Sequence, residues 1–333
     1  MSLAGPLVDF CGRVHTDLRI SVTDRCNIRC YYCMPPEGVR FLSHHDILTY
    51  EEIERFVLVA ARLGIRKLRI TGGEPLVRKG VPHLVEKLVG LHGVEEVALT
   101  TNGILLRRLA GDLRTAGLNR LNVSLDTLDR EKFRRITQFD ELPRVLEGIE
   151  AAQKAGFAVI KLNTLAIRGM CEDDVVPLAR FARDNGLHLR FIEFMPVGGR
   201  RVWGSDQVLP GDEILEILSR EIGPLDAVET AGPYAPATEY EFRDGGGRIG
   251  VIRSVTEPFC DQCNRLRLTA DGKLQNCLFS PDTWDARAVL RSGATQRRLA
   301  QLIQIAVSTK RKARGTDTGD FAPAERSMHQ IGG

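Results

Sequence analysis

Two rhythms of apolar and polar positions alternate along the chain as far as Phe194. Short runs with period-two patterning predict strands at Leu18–Val22, Lys67–Ile70, Val97–Thr100, Leu121–Ser124, Ala158–Leu162 and Leu189–Phe194. Helical spacing fills the gaps between them. Thr49-Tyr-Glu-Glu52 has the form of a capping box, Ile53, Phe56, Val57, Val59 and Ala60 follow on one face, and Gly64 stands at the C′ position. Further helices are predicted after Pro82 at N1, over Leu105–Ala116, over Glu141–Ala155 and over Asp173–Asn185. Six strand-then-helix units predict a parallel sheet with right-handed crossovers. Each strand ends in polar or small residues: Thr23 to Arg25, Gly72 to Glu74, Thr100 to Asn102, Ser124 with Asp126, Asn163, and Met195. In parallel α/β folds that edge binds ligands. No strand-linked G-x-G-x-x-G supports a dinucleotide fold, so the expected class is α/β, an incomplete (βα)6 TIM-like barrel.

The pattern changes after Val197. A loop-like stretch over Gly198–Ser205 and one more helix, Asp212–Glu221, lead into a Gly/Pro-marked boundary between Gly223 and Pro236. Beyond it, Tyr240–Phe242 and Arg248–Ile252 predict a hairpin, helices return over Asp285–Ser292 and Thr295–Lys312, and the tail from Ala313 is polar and expected to be mobile. The expected organisation is a barrel core over 1–225 and a C-terminal α+β extension over 226–333.

Composition narrows the class without naming it. Hydrophobic residues make up 43% and charged residues 27%, ordinary for a globular protein, and a net charge of +3 is too small to imply nucleic acid. Aromatics at 6% are too sparse for a base-stacking surface. The N-terminus lacks the basic and apolar regions of a signal peptide, and no apolar run suffices to span a bilayer. The expectation is a cytoplasmic chain without a membrane or nucleic-acid partner, as monomer or homodimer, whose eight cysteines are ligands or free thiols.

Two cysteine triplets carry the chemistry. Cys26, Cys30 and Cys33 are spaced C-x3-C-x2-C just after the first strand; Cys260, Cys263 and Cys277 are spaced C-x2-C-x13-C. Thiolates select zinc or iron–sulfur clusters, and a four-iron cluster held by three cysteines leaves one iron open. Structural zinc wants four protein ligands; His44 or His45 could complete the first set, and Cys171 is the remote candidate for the second. Two sets that each stop at three ligands fit two clusters better. Gly72-Gly73-Glu74-Pro75 follows the second strand, where small residues permit close approach of a ligand to exposed amides. Arg19, Lys67, Arg69, Lys161, Arg190, Arg265 and Arg267 gather near the binding edge or the second triplet. Inward-facing arginines need an anion, and a polyphosphate suits their forked donors.

The first triplet, with aromatic Tyr32 before its last cysteine, resembles the radical S-adenosylmethionine (SAM) signature. Through Gly12-Arg13, Leu18 to Cys26, Arg69-Ile-Thr-Gly-Gly-Glu-Pro75, Thr100-Thr-Asn-Gly103, Asn122-Val-Ser-Leu-Asp126, Phe191 to Pro196, Cys260 to Arg267, Asp271-Gly-Lys273, Cys277 and Gly332-Gly333, the chain as a whole resembles the GTP 3′,8-cyclase family of molybdenum cofactor biosynthesis. It implies a radical SAM partial barrel whose extension carries a second cluster, and two [4Fe-4S] clusters with SAM as cofactors. One cluster, on Cys26, Cys30 and Cys33, binds SAM, with contacts from Tyr32, Gly73, Ser124 and Met195. The other, on Cys260, Cys263 and Cys277, anchors the guanine. It implies GTP contacts at Arg19, Arg69, Thr100, Lys161, Arg190, Arg265, Leu266 and Arg267, with Arg19, Arg265 and Arg267 catalytic. The implied radical chemistry joins ribose C3′ to guanine C8 and needs an electron donor. The implied product goes to cyclic pyranopterin monophosphate synthase, and the Gly-Gly tail enters the active site. Cys11 reads as an incidental thiol, and Lys310 to Gly315 follow the family too loosely to assign a contact. The competing readings are a peptide-modifying maturase with two clusters and a non-catalytic zinc-binding protein.

Overall fold

Alternation inside each strand decides which face carries the core. The computed structural model describes residues 5–34, 39–197, 203–229, 232, 234–311 and 326–332. In β1 (Asp17–Ser21), Leu18 and Ile20 are buried on one face while Arg19 points to the other; β2 (Lys67–Thr71) repeats this with Leu68, Ile70 and Arg69. β3 (Glu96–Thr101), β4 (Arg120–Ser124), β5 (Ile160–Ala166) and β6 (His188–Glu193) follow the same rule, burying Val97, Leu99, Leu121, Val123, Leu162 and Leu189. A parallel sheet covered on both faces reads as continuous apolar runs. Here only the helix side is a packed core, and the opposite face is lined by Arg, Lys, Asn and Thr.

The strands β1 to β6 pair in sequence order, all parallel. The intervening helices are α1 (Tyr50–Arg62), α2 (Val81–Val89), α3 (Leu106–Thr115), α4 (Arg130–Thr137), α5 (Leu142–Lys154) and α6 (Val175–Asp184). The capping box forms as expected: the Thr49 hydroxyl accepts from the Glu52 amide at 3.1 Å, and Glu52 accepts from the Thr49 amide at 2.8 Å. Gly64 closes the helix at φ +106°. Pro82 is the second residue of α2 rather than its first. The fifth strand runs to Ala166, four residues past its expected end, because β6 pairs with it from Lys161 through Ala166. The helix α4 went unpredicted: its short amphipathic turn, capped by Asp129 on the Lys132 amide at 2.6 Å, buries only Phe133, Ile136 and Thr137.

The C-terminal part extends this same sheet at both edges. After α7 (Gly211–Glu221), β7 (Leu225–Val228), β8 (Thr238–Phe242) and β9 (Arg248–Ile252) form an antiparallel meander, and β9 lies parallel to β6. The expected hairpin is therefore its β8–β9 half. On the other edge β10 (Arg265–Leu268) lies parallel to β1, followed by β11 (Lys273–Gln275) and β12 (Trp284–Asp285). The order is β12-β11-β10-β1-β2-β3-β4-β5-β6-β9-β8-β7, twelve strands among the described residues, with its two ends unpaired. The helices α8 (Ala286–Arg291), α9 (Gln296–Ser308) and α10 (Met328–Ile331) complete the fold. Helix α9 stops at Ser308, short of the expected Lys312. Most of the polar tail, the loop at 198–202, and Gly333 lie outside the described residues. No described helix is long and apolar enough to cross a membrane.

Candidate active site

The first triplet lies on the loop that leaves the C-terminal end of β1. This loop is seated on the glycine pair after β2: a β-carbon at Gly72 would lie 2.6 Å from the Thr23 carbonyl, and one at Gly73 would lie 2.5 Å from that of Arg25. The Gly73 amide donates to Thr23 O and the Glu74 amide to Arg25 O, each at 2.8 Å. The expectation of exposed amides there is thus corrected; the glycines make room for the chain's own backbone. Glu74 is buried and accepts from Thr101 Oγ1, the Asn102 amide and the Leu76 amide at 2.7–3.0 Å, and burial raises its pKa to about 7. Asn102, held in this way, places Nδ2 3.9 Å from Cys26 Sγ. Tyr32 donates to Asp126 Oδ2 at 2.5 Å and meets Tyr31 edge to face, over a small apolar cluster of Ile167, Cys171 and Phe194. Ser124 and Met195 stand at or just beyond the same ends of β4 and β6, both half-buried. Burial pushes Cys26 up to about 11 and Cys33 to about 12; Cys30 lies well above its usual value, raised by burial, Cys33 and Asp126. Such thiols keep their protons until a metal displaces them.

The second triplet lies at the opposite end of the same strand pair. Cys260 and Cys263 precede β10, and Cys277 follows β11, which runs antiparallel to it. Since β10 is parallel to β1, the triplets are separated by the length of β1, five residues or roughly 17 Å at about 3.3 Å per residue. Burial raises Cys260. Burial alone would raise Cys263 too, but Arg265 and Lys310 bring it down to about 6. Lys310 Nζ stands 3.4 Å from Cys263 Sγ. Arg13 donates to the Cys260 carbonyl at 2.6 Å and the Arg311 carbonyl at 3.0 Å, while Asp9 holds Arg13 and His15 from behind at 2.6 and 2.9 Å.

Between the triplets, register aligns Arg267, Arg19 and Arg69 on three adjacent strands, side by side on the polar face. Burial and its neighbours Arg267 and Arg69 hold Arg19 well below its usual pKa; burial with Arg120 and Arg190 holds Arg69 at about 10, and burial with Arg265 holds Arg267 at about 10. Lys161 falls to about 7 through burial and the nearby Arg190 and Arg120. Among the described residues, Arg19, Arg69 and Lys161 have no carboxylate within ion-pair reach. The Thr100 hydroxyl and both polar side-chain atoms of Asn122 are buried without partners in the same place. Arg190 differs, since Glu239 already pairs with it at 2.7 Å. Leu266, expected as a GTP contact, has its side chain turned by alternation into the helix-side core beside Leu18, at 1% exposure. The tail does reach this space. Arg267 Nη1 donates to the Gly332 carbonyl, and a β-carbon on Gly332 would lie 2.8 Å from Thr71 Cγ2. His329 Nδ1 lies 3.4 Å from the Cys33 carbonyl.

Sequence reasoning missed Arg13, Asn102 and Lys310 as neighbours of the cysteines. Arg13 and Asn102 fell within quoted motifs; Lys310 stood at the head of a basic run with no spacing signal. All eight cysteines are free. The described residues bring no three His, Cys, Asp or Glu side chains onto one metal ion, as a tetrahedral zinc site requires. The three-thiol sets with these neighbours fit clusters whose cysteines bind separate irons.

Residues 20–182 match the Radical SAM superfamily, and residues 187–316 match Molybdenum Cofactor Synthesis C. The chain is 52% identical over 330 residues to a GTP 3′,8-cyclase of Rhodopirellula baltica, covering 98% of this chain and 92% of that one. It is 46% identical over 316 residues to a GTP 3′,8-cyclase of Pelotomaculum thermopropionicum, covering 95% and 97%. Among solved structures, Streptococcus suis SuiB bound to S-adenosylmethionine aligns with a TM-score of 0.59 at 15% identity, over 85% of this chain and 67% of that one. That likeness is one of fold alone.

Proposed function

The chain belongs to the GTP 3′,8-cyclase family of radical SAM enzymes, and on that premise we propose that it converts GTP to (8S)-3′,8-cyclo-7,8-dihydroguanosine 5′-triphosphate. This is the first step of molybdenum cofactor biosynthesis. The observation that carries the reading is the row Arg267–Arg19–Arg69 between the triplets, where Arg19 and Arg69 have no carboxylate partner among the described residues. Uncompensated buried guanidinium groups are costly, so this face is built for an anion that arrives with the ligand. A nucleoside triphosphate supplies the charge and, through its base and ribose, the unpaired acceptors and donors that Thr100 and Asn122 lack.

In this reading Cys26, Cys30 and Cys33 hold one [4Fe-4S] cluster, and Cys260, Cys263 and Cys277 hold a second. Bound and reduced, the first cluster with SAM would supply one-electron radical chemistry at the ribose. Tyr32, fixed by Asp126, and Gly73, Ser124 and Met195 would be the residues that hold SAM. Arg69, Lys161 and Arg190 bind the phosphates. Arg19, Arg265 and Arg267 orient the reacting nucleoside between the two cysteine sets and act as the catalytic arginines. An electron donor serves the first site, and the product passes to cyclic pyranopterin monophosphate synthase. The test is anaerobic turnover of the iron-loaded protein with SAM, a reductant and GTP. The expected result is GTP-dependent cyclised nucleotide formed together with 5′-deoxyadenosine. Formation of 5′-deoxyadenosine with no change in GTP would overturn the substrate assignment.

A further inference from the structure

Lys310 follows α9 and would be expected, as a lysine at the end of a helix, to reach into water. Instead it is 3% exposed and turns inward to the second triplet. An ammonium has three protons to donate and no acceptor. All three find partners: the Cys263 carbonyl at 3.2 Å, the Arg265 carbonyl at 3.0 Å and Cys263 Sγ at 3.4 Å. None of these is a carboxylate.

The placement is fixed from the far side. Arg13 bridges the Cys260 carbonyl and the carbonyl of Arg311, the residue after Lys310, so one guanidinium ties the cysteine turn to the segment carrying the lysine. Arg13 is neutralised by Asp9, and His15, fully buried beside it, is held neutral with its pKa at about 4 by burial and by Lys310. Arg265 also bears on the Cys263 thiol from the strand that follows it, and Lys310 is the buried cation that reaches the same sulfur from the end of α9. Among the described residues no lysine or arginine donates to a thiol of the first triplet: Arg29 donates to the carbonyls of Cys26 and Ile28, the Asn102 amide lies 3.9 Å from Cys26 Sγ, and the nearby carboxylates are Glu74 and Asp126.

We propose that Lys310 is a positioning residue for the second cluster, serving as its N–H···S donor and counter-cation and raising its reduction potential. The inference rests on the reading that the second triplet holds a cluster. Hydrogen bonds to ligand sulfur and nearby positive charge favour the reduced, more negative state of a cluster. The same charge lowers the repulsion between a thiolate-bound cluster and a polyanionic nucleotide.

The test uses the full chain with Cys26→Ser, Cys30→Ser and Cys33→Ser, so that only second-triplet iron contributes. Iron content and an anaerobic EPR-monitored redox titration are measured with Lys310 intact, with Lys310→Met and with Lys310→Arg. The expected result is a midpoint potential shifted downward in Lys310→Met and largely restored in Lys310→Arg. Loss of iron in Lys310→Met with retention in Lys310→Arg supports the same role. An unshifted midpoint in Lys310→Met, or equal loss of iron in both variants, overturns it. If the background with Lys310 intact binds no iron, the cluster reading itself fails and takes this inference with it, a result distinct from either of those.

Discussion

Cys26, Cys30 and Cys33 lie against Glu74, Asp126 and the Tyr31–Tyr32 pair, whereas Cys260, Cys263 and Cys277 lie against Arg13, Arg265, Arg267 and Lys310. Both sets offer three free thiols. In the proposed reading the equal ligand count gives both sets an open iron, and their surroundings decide which molecule each would draw. SAM carries a sulfonium cation and an adenine ring, which suit carboxylates and an aromatic face. GTP is a polyanion and suits the arginine end. Because β10 is laid beside β1, the two environments occupy opposite ends of one strand pair, with Arg19 and Arg267 between them.

Each prediction presses on that division, beginning with the largest effect. Cys30→Ser should abolish reductive formation of 5′-deoxyadenosine while second-triplet iron remains, measured by product chromatography and iron analysis. Cys277→Ala should do the converse: 5′-deoxyadenosine still forms, and the cyclised nucleotide disappears. Gly73→Ala should damage the first end alone, since its β-carbon would lie 2.5 Å from the Arg25 carbonyl and 2.8 Å from that of Asp24. We expect a loss of about 1–3 kcal/mol in stability, as for overpacking elsewhere, together with lowered first-triplet iron. Arg267→Ala should keep both clusters and weaken GTP binding by about 10- to 100-fold, the worth of a charge-assisted hydrogen bond of roughly 1.5–3 kcal/mol.

The smallest effect is one of pH. In the ligand-free protein Lys161 titrates at about 7 through burial and its cationic neighbours. Bound phosphate favours its charged form, so binding takes up a proton above that pH. GTP affinity should therefore decline as the pH rises through about 7, and Lys161→Arg should flatten that decline, because guanidinium stays charged. Calorimetric titrations of the two proteins across that range would check it, and parallel pH profiles would remove Lys161 from the phosphate site.

Much of this was legible in the residues. The six parallel strands followed from period-two runs separated by capped amphipathic helices, and the basic face from Arg19, Arg69, Lys161 and Arg190 at polar positions within those runs. The remainder depended on pairing between distant segments. The run Arg265-Leu-Arg-Leu268 is too short and too charged to read as a strand; it becomes one because β1 offers it an edge. That pairing separates Arg265 and Arg267 from Leu266, which a linear motif had grouped together. Gly72 and Gly73 announced a close approach, but sequence alone could not say that the approaching group is the backbone of Thr23 to Arg25. Lys310 is distant from Cys263 in the chain, and only the return of α9 past β11 brings them together.

The central claim is that the two triplets hold separate clusters and that only the second meets GTP. Its most direct test is the EPR spectrum of the reduced protein with and without GTP, recorded in two variants of the full chain. One variant lacks the first three cysteines, and the other lacks the second three. GTP should alter the signal when Cys260, Cys263 and Cys277 remain and leave it unchanged when only Cys26, Cys30 and Cys33 do. A GTP-dependent change carried by the first triplet alone would contradict it.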